Sequence, residues 1–308
     1  MPTLSFNGSD CMIRQYRIRN SLQSKSERIL RNSVVILLIL FFVTFFYIPI
    51  FSVLGGSFFR WNPLKNQMIY TGLDNWKRVF KSELFWSSLW RTILFMTIAT
   101  FFRITLGLLL SSALFSKLIK HKSLYRVLYY LPTITPMVAV AFVWKFIFAP
   151  RIGLLNQMLG TNINWLFDGK YAMAAILILT IWKDFGYSVI MLLGGLYSLP
   201  KDCFESAEID GASSWQRFLY LTLPLLKPTI IFVVITSIIS YFQTYIPVMV
   251  LTQGGPGTRT YLVSYLIYEE AFSKYNFGYA SALSFILFIF IAILTGISFR
   301  VSGNSENG

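Results

Sequence analysis

The residues of this chain that could do chemistry are concentrated in one polar stretch between two apolar segments. Residues 205–224 read ESAEIDGASSWQRFLYLTLP, with carboxylates at Glu205 and Asp210 and a glycine at Gly211. Carboxylates can cap helices or contact a partner, whereas general acid–base catalysis needs further titratable groups or a nucleophile beside them. A polar stretch of this kind in an apolar chain predicts contact with another molecule in water.

Catalytic, metal and nucleotide chemistry is not expected in this chain. His121 is the only histidine and lies in a basic loop, which excludes a histidine-based zinc site. Cys11 and Cys203 are both predicted on the cytosolic side, where disulfides are rare. No G-x-x-x-x-G-K-[ST] phosphate loop is present, because the glycine-rich run at 254–257 is followed by Thr-Arg. We therefore expect no catalytic residue, no metal ligand and no bound cofactor, and no enzyme activity.

Composition indicates an integral membrane protein. The chain has 308 residues, of which 55% are hydrophobic and 13% are charged, with a mean hydropathy of +0.60. An ordinary soluble domain has about 25% charged residues. The net charge of +14 is expected from basic residues beside apolar spans and does not require a nucleic-acid partner.

The predicted fold is all-α, with six transmembrane helices and both termini in the cytoplasm. A helical span needs about 20 apolar residues, and prolines at Pro132, Pro136 and Pro247 are expected to kink two of the spans. The six spans are 33–58, 89–115, 124–148, 172–196, 229–251 and 279–299. The predicted domains are a cytoplasmic tail (1–32), a first transmembrane helix (33–59), an outer loop (60–88), a core domain with five transmembrane helices and the loop 197–228 (89–300), and a cytoplasmic tail (301–308).

Lysine and arginine set the predicted orientation, because cytoplasmic loops carry an excess of both. The N-terminal tail is basic, with Arg14, Arg17 and Arg19, and the loop between the second and third spans has four basic residues and no acid. The predicted outer loop departs from this bias. It contains five cations: Arg60, Lys65, Lys77, Arg78 and Lys81.

The cytosolic loop 197–228 is too polar to span a membrane. Pro200, Asp202 and Glu205 favour a helix start, and Gly211 can end a short helix. We therefore predict two short helices on the inner surface, joined at Asp210–Gly211. Phe204, Ile209 and Trp215 would be their apolar contacts. The alternative is that the segment lies on the membrane as an interfacial helix.

The spacing within this loop resembles the "EAA" signature of permease subunits of bacterial ABC importers. Glu205-Ser206-Ala207 is followed by Asp210-Gly211-Ala212 and, with nine residues between Gly211 and Leu221, by Leu221-Thr222-Leu223-Pro224; Ser206 replaces the first alanine. Other segments are similar to maltose-type permeases over about residues 30–300. They are residues 72–76 (GLDNW), 125–128 (YRVL), 153–156 (GLLN) and 251–256 (LTQGGP).

The resemblance implies a transmembrane subunit, in the bacterial cell membrane, of a sugar importer. It implies these partners: a second permease subunit, two ATP-binding subunits that hold ATP and Mg, an extracytoplasmic solute-binding protein, a saccharide substrate and membrane lipid. The residues expected to couple to the ATPase are Glu205, Ser206, Ala207, Asp210, Gly211, Ala212 and Trp215.

The resemblance also implies a set of residues along the substrate pathway. They are Thr133, Met137, Lys183, Asp184, Tyr187, Tyr241, Gln243 and Thr244. Charges within spans are costly and are by default functional candidates, and the charged pair at 183–184 departs from the maltose pattern. Lys183 or Arg103 could pair with an acid group on the cargo, which leads to the hypothesis of a uronate-bearing saccharide. The alternative is a structural ion pair, because neighbouring residues point about 100° apart on a helix.

Two other classes of protein were compared with this interpretation. An ion-coupled secondary transporter of a small polar solute would need titratable acids within the membrane and inverted repeats, but Asp184 is the only acid well inside a span and no repeat is visible. A membrane enzyme would need clustered carboxylates, histidine or a nucleophile at a membrane face. Both are less favoured than the importer subunit.

Overall fold

The computed structural model describes residues 25–116 and 119–303, which form two units, 1–55 and 56–308. The predicted basic tail with Arg14, Arg17 and Arg19, Cys11 and the last residues of the predicted C-terminal tail lie outside the described residues.

The first unit is a single long helical segment. It contains α1 (Lys25–Phe42), a π-helical turn (Val43–Tyr47) and the first residues of α2 (Ile48–Gly56). Large apolar side chains lie on all its faces, as expected of a helix surrounded by lipid. The stretch Glu27–Gly56 is long and apolar enough to cross a membrane, and it contains most of the predicted first span, 33–59.

The second unit begins with structure that the sequence analysis treated as an outer loop. Strands β1 (Phe59–Asn62) and β2 (Gln67–Tyr70) form an antiparallel hairpin, and α3 (Asp74–Lys81) follows. Helix α4 (Glu83–Phe115) then begins six residues before the predicted second span, because Ser82 caps it by accepting a hydrogen bond from the Phe85 backbone N–H at 3.2 Å.

Helices α4 and α8 (Ala172–Tyr197) form the most extensive helix pair of this unit. Gly107 allows their close approach, because a Cβ atom at this position would lie 2.9 Å from Leu192 and Ser188. Helix α12 (Lys227–Phe242) packs against both, and α15 (Phe277–Gly303) packs against α12. The buried core thus lies among helices that are themselves apolar enough to cross a membrane.

The predicted proline break of the third span is confirmed. The segment consists of α5 (Lys122–Ile134) and α6 (Met137–Ile147), which meet at 96°. Pro132 lies in the last turn of α5, and Pro136 immediately precedes α6. Proline removes a backbone donor and clashes with the preceding turn, which explains the bend.

The prediction of one fifth span at 229–251 is wrong in its boundaries. Helix α12 ends at Phe242, and α13 (Ile246–Leu251) is a separate helix with Pro247 in its first turn. The segment that pairs with α12 precedes it instead, at Ser214–Leu225, with a bend of 63°. Gln243 and Thr244 leave the helix here, and Pro247 cannot donate the backbone hydrogen bond that a continuous helix would need.

Short helices complete the second unit. They are α7 (Leu154–Leu159), α9 (Lys201–Ile209), α10 (Ser214–Arg217), α11 (Leu223–Leu225) and α14 (Val263–Tyr268), with π-helical turns at Phe218–Thr222 and Glu269–Ser273. Across the described residues, four helices could cross a membrane, or up to six if each bent pair is one span. The fold is therefore mostly helical, and the count of six spans and the orientation of the termini stay predictions.

Candidate functional site: the polar loop and the intramembrane polar cluster

The predicted end of the first short helix at Gly211 is confirmed. Helix α9 ends at Ile209, and Gly211 has a φ of +78°, in the left-handed region. The Gly211 N–H donates to the Glu208 carbonyl at 3.1 Å, and the Ala212 N–H donates to the Ala207 carbonyl at 2.9 Å. This pair of bonds is a Schellman motif, which glycine favours because it has no Cβ.

The second short helix has a cap that the sequence analysis missed. The Ser213 hydroxyl accepts a hydrogen bond from the Gln216 N–H at 3.2 Å, and the Gln216 side chain accepts one from the Ser213 N–H at 2.8 Å. This is a capping box, and its S-x-x-Q spacing was visible in the sequence. The predicted cap Asp210 instead ends α9 without a side-chain cap.

An ion pair joins the two short helices. Arg217 Nη1 lies 2.7 Å from Glu208 Oε2, and neither residue was among the predicted coupling residues. The Glu208 side chain is 71% exposed, so that the pair contributes only about 0.2–1 kcal/mol to stability. The pair links α9 to α10 across the Gly211 turn.

Three large side chains with apolar surface are exposed in this region. Ile209 is 87% exposed, Trp215 is 67% exposed and Tyr220 is 75% exposed. Phe204, the third predicted apolar contact besides Ile209 and Trp215, is half-buried. The predicted coupling residues Glu205, Ser206, Asp210, Gly211 and Trp215 are exposed, whereas Ala207 and Ala212 are half-buried. A cavity of about 410 Å³ lies beside the Gly211 turn, between Ala207 and Tyr220.

The second region lies where α5 meets α8. Thr133 Oγ1 donates to the Lys183 carbonyl at 2.9 Å, and Lys183 Nζ donates to the Thr133 carbonyl at 3.2 Å. Thr133 belongs to the last turn of α5, where backbone carbonyls lack intrahelical partners. Lys183 Nζ also lies 3.9 Å from Asp184 Oδ1. Lys183 therefore has two protein partners, Thr133 and Asp184.

Arg103 forms a buried cluster with residues of α8 and α12. Its Nε donates to the Ser188 hydroxyl at 2.8 Å, and its guanidinium carbon lies 5.0 Å from the Tyr187 ring centre and 5.7 Å from that of Tyr241. Both ring distances are within reach of cation–π attraction. Ser188 was not predicted, and nothing in the sequence distinguishes it from other small residues of the span.

The remaining predicted pathway residues differ in their surroundings. Met137 is half-buried at the start of α6. Asp184 is half-buried, with 26% of its side chain exposed. Gln243 is exposed after the end of α12, and Thr244 donates to the Ser240 carbonyl at 3.2 Å. The structure thus brings Thr133 to Lys183, and both Tyr187 and Tyr241 to Arg103, whereas Gln243 and Thr244 lie on the segment that links α12 to α13.

Comparisons with known proteins agree with this arrangement. The family described as "Binding-protein-dependent transport system inner membrane component" matches residues 103–303. A probable ABC transporter permease of Bacillus subtilis, YurN, is 30% identical over 83% of this chain and 90% of its own length. The lactose transport system permease LacF of Rhizobium radiobacter is 32% identical over 75% of this chain and 80% of its own length.

A solved structure shares the fold. A chain of a bacterial alginate ABC transporter, solved in complex with an alginate pentasaccharide-bound periplasmic protein, matches with a TM-score of 0.78. The match covers 91% of this chain and 96% of that one, at 20% sequence identity. The resemblance found in the polar loop is therefore confirmed, and the chain belongs to the family of binding-protein-dependent transport system inner membrane components, the permeases of ABC transporters.

Proposed function

We propose that this chain is the transmembrane subunit through which an ATP-driven importer moves a saccharide into the cell. The observation that carries the proposal is the pair of short helices α9 and α10, joined by the Gly211 turn and the Ser213–Gln216 cap, with Ile209, Trp215 and the following Tyr220 exposed. Large apolar side chains that cluster on an exposed surface mark a site for a partner. The sugar class is supported by the lactose system of the relative LacF.

The partner of the loop is proposed to be a separate ATPase subunit. This chain contains no phosphate loop, so that ATP and Mg²⁺ would be held by two such subunits in the complex. A second permease subunit would complete the pathway, and an extracytoplasmic binding protein would deliver the cargo. Six spans and cytoplasmic termini are part of this proposal, because they place the loop and the ATPase on the same side.

Helix α8 provides the mechanical connection between the loop and the pathway. It ends at Tyr197, and α9 begins at Lys201, so that only three residues separate them. The same α8 carries Lys183, Asp184, Tyr187 and Ser188 near its middle. A displacement of α9 by the ATPase would therefore be transmitted to the polar residues through one continuous helix.

The cargo is proposed to contact the half-buried carboxylate of Asp184 and the aromatic ring of Tyr187. Sugar hydroxyls suit a carboxylate acceptor, and sugar faces suit aromatic rings. Recognition of a uronate would need a cation, but Lys183 is bonded to Thr133 and Arg103 is bonded to Ser188. A uronate-bearing cargo would therefore have to displace Thr133 from Lys183 or Ser188 from Arg103.

Uptake assays test the cargo proposal. We expect Asp184→Ala to reduce uptake of every transported saccharide while the complex still assembles. Lys183→Met separates the two kinds of cargo, because it should reduce uptake of a uronate oligosaccharide more than uptake of a neutral one of equal length. Unchanged uptake of all saccharides in both variants would contradict the assignment of these residues.

Copurification tests the coupling proposal. The double variant Ile209→Ser and Trp215→Ser should lose both the ATPase copurified in detergent and energised uptake. The matched control is Ile152→Ser and Met158→Ser. These side chains are 77% and 76% exposed and lie between the third and fourth predicted spans. Retention of the ATPase by the first variant would contradict the proposed role of the loop.

A further inference from the structure

Helix α3 has one buried face and one cationic face. On the buried face, Asn75 Nδ2 donates to the carbonyls of Ser57 and Phe59, each at 2.9 Å, and Val79 is fully buried. On the other face, Asp74, Lys77, Arg78 and Lys81 follow the i, i+3, i+4, i+7 spacing that aligns side chains along a helix. We call Lys77, Arg78 and Lys81 the α3 cationic face.

The charges of this face are not neutralised within the described part of the chain. Lys77, Arg78 and Lys81 are exposed, and none of the three takes part in an ion pair there. Arg78 lies 4.2 Å from the centre of the Tyr279 ring, which orients it without cancelling its charge. Glu270, an acid close to this face, is already paired with Lys274 at 2.9 Å.

A cavity of about 650 Å³ adjoins the α3 cationic face. Its lining combines the three cations with the carboxylates of Asp74 and Glu270, the latter paired with Lys274, and with the apolar side chains of Leu84 and Leu266. A ligand that fits this lining carries a negative group for the cations and an apolar part for the leucines.

The α3 cationic face lies at the end of a helix that could cross a membrane. Helix α3 ends at Lys81, and the candidate span begins at Glu83. Phe80, Trp86 and Trp90 are exposed beside this junction, and the Trp86 indole donates to the Phe80 carbonyl at 2.8 Å. Exposed tryptophans at the end of a span are typical of the membrane–water interface. The cations are therefore at the level of lipid headgroups.

We propose that the α3 cationic face binds the phosphate of an anionic phospholipid, with the acyl chains against the apolar side chains beside it. The inference depends on the membrane placement that the proposed function assumes. Lipid is favoured over an acidic protein surface for two reasons. The cations adjoin the span, and exposed apolar side chains such as Leu73 and Phe80 lie among them. The binding also explains three of the five cations that accumulate in a loop where the sequence predicts few.

Native mass spectrometry of the purified chain in detergent tests this proposal. The chain is mixed with equal amounts of phosphatidylglycerol and phosphatidylcholine, and the ratio of the two retained lipids is measured. We expect the unaltered chain to retain phosphatidylglycerol preferentially. The triple variant Lys77→Gln, Arg78→Gln and Lys81→Gln should lower that preference about tenfold or more, because each basic residue near an anionic surface contributes to attraction.

The matched control removes three exposed charges elsewhere, with Lys120→Gln, Arg151→Gln and Lys170→Gln, and should keep the preference. If the triple variant does not purify as a folded protein, Lys77→Gln with Lys81→Gln keeps the Arg78–Tyr279 contact and should show an intermediate loss. Assembly with the ATPase is measured separately, so that failure of the lipid preference is distinguishable from failure of the proposed function.

Several results would overturn the inference. One is equal retention of both lipids by the unaltered chain, and another is an unchanged preference in the triple variant. Displacement of the bound lipid by inorganic phosphate alone would assign the face to a free anion. Loss of docking by an extracytoplasmic binding protein in the triple variant, with the lipid ratio unchanged, would assign it to an acidic protein surface.

Discussion

Thr133 and Lys183 are joined by two hydrogen bonds that run in opposite directions between α5 and α8. Each residue offers its backbone carbonyl to the side chain of the other, at 2.9 and 3.2 Å. The bend between α5 and α6 begins one residue later, at the end of α5. This reciprocal pair therefore fixes the bend against the middle of α8.

We expect Lys183→Met and Thr133→Val each to lower the melting temperature of the detergent-solubilised protein. A hydrogen bond to a charged group is worth about 1.5–3 kcal/mol, and one between neutral groups is worth about 0.5–1.5 kcal/mol. The double variant should lose less than the sum of the two, because both substitutions disrupt one connection. A fully additive loss would show that the two residues act independently.

Close backbone contact between α5 and α8 gives a second prediction. A Cβ atom at Gly186 would lie within 1.9 Å of the Tyr129 carbonyl oxygen, so that Gly186→Ala must push the helices apart. We expect a loss of about 1–3 kcal/mol in stability, measured by thermal unfolding in detergent.

Gly194 of the same helix is the matched control for this substitution. Nothing lies within 4 Å of a Cβ atom placed there. Because alanine is the better helix former by about 1 kcal/mol, Gly194→Ala should be neutral or stabilising. Similar losses in both variants would show that the contact with Tyr129 is not what restricts Gly186.

The ion pair between Glu208 and Arg217 gives a third prediction, about coupling. Arg217→Glu should reduce energised uptake while changing the melting temperature little, because an exposed pair contributes at most about 1 kcal/mol. The exchanged variant Glu208→Arg with Arg217→Glu restores opposite charges and should recover part of the uptake. Uptake that is equally low in both variants would indicate that Arg217 acts in another way.

Lys274 gives a fourth prediction, about alkaline pH. Burial lowers the pKa of Lys274, but hydrogen bonds to Glu270 and Glu269 outweigh this effect and raise the pKa above its ordinary value of 10.5. The protonated form is therefore favoured by folding. Its contribution to stability is complete below pH 10.5 and is lost as the pH rises through the higher value in the folded protein.

Thermal unfolding measured between pH 9 and pH 12 checks this prediction. The melting temperature of the unaltered protein should fall more steeply above pH 10.5 than that of Lys274→Met. Tyr261 also bonds to Glu269, and its pKa is raised by burial and by this hydrogen bond. Tyr261→Phe therefore serves as the comparison. An identical slope in all three proteins would contradict the role of Lys274.

Local signals in the sequence predicted those parts of the structure that depend on neighbouring residues. Gly211 predicted the end of α9, and Pro132 with Pro136 predicted the bend of the third apolar segment. The fifth span was given wrong boundaries because the average hydropathy of the segment stays high across Gln243 and Thr244, whereas α12 ends at Phe242. Apolar composition alone does not show where backbone hydrogen bonds stop.

Contacts between residues far apart in the chain could not be predicted. Arg103 was recognised as a charge within a span, but its bond to Ser188 depends on the register between α4 and α8. From the sequence, the Lys183 side chain could equally have faced a cargo or a neighbouring helix. Its orientation depends on the Thr133 carbonyl at the end of α5, which accepts its hydrogen bond. The pairing of Glu208 with Arg217 likewise depends on the turn at Gly211.

The shape of the polar loop is specified mainly by its main chain and by the Ser213–Gln216 cap. The bonds from Gly211 and Ala212 back to Glu208 and Ala207 need only one glycine and do not use the exposed side chains of Ile209 and Tyr220, whereas Trp215 stacks on Phe218. The outward-facing side chains can therefore be exchanged without loss of the scaffold. A loop built in this way can fit different partner proteins through substitution of its exposed side chains alone.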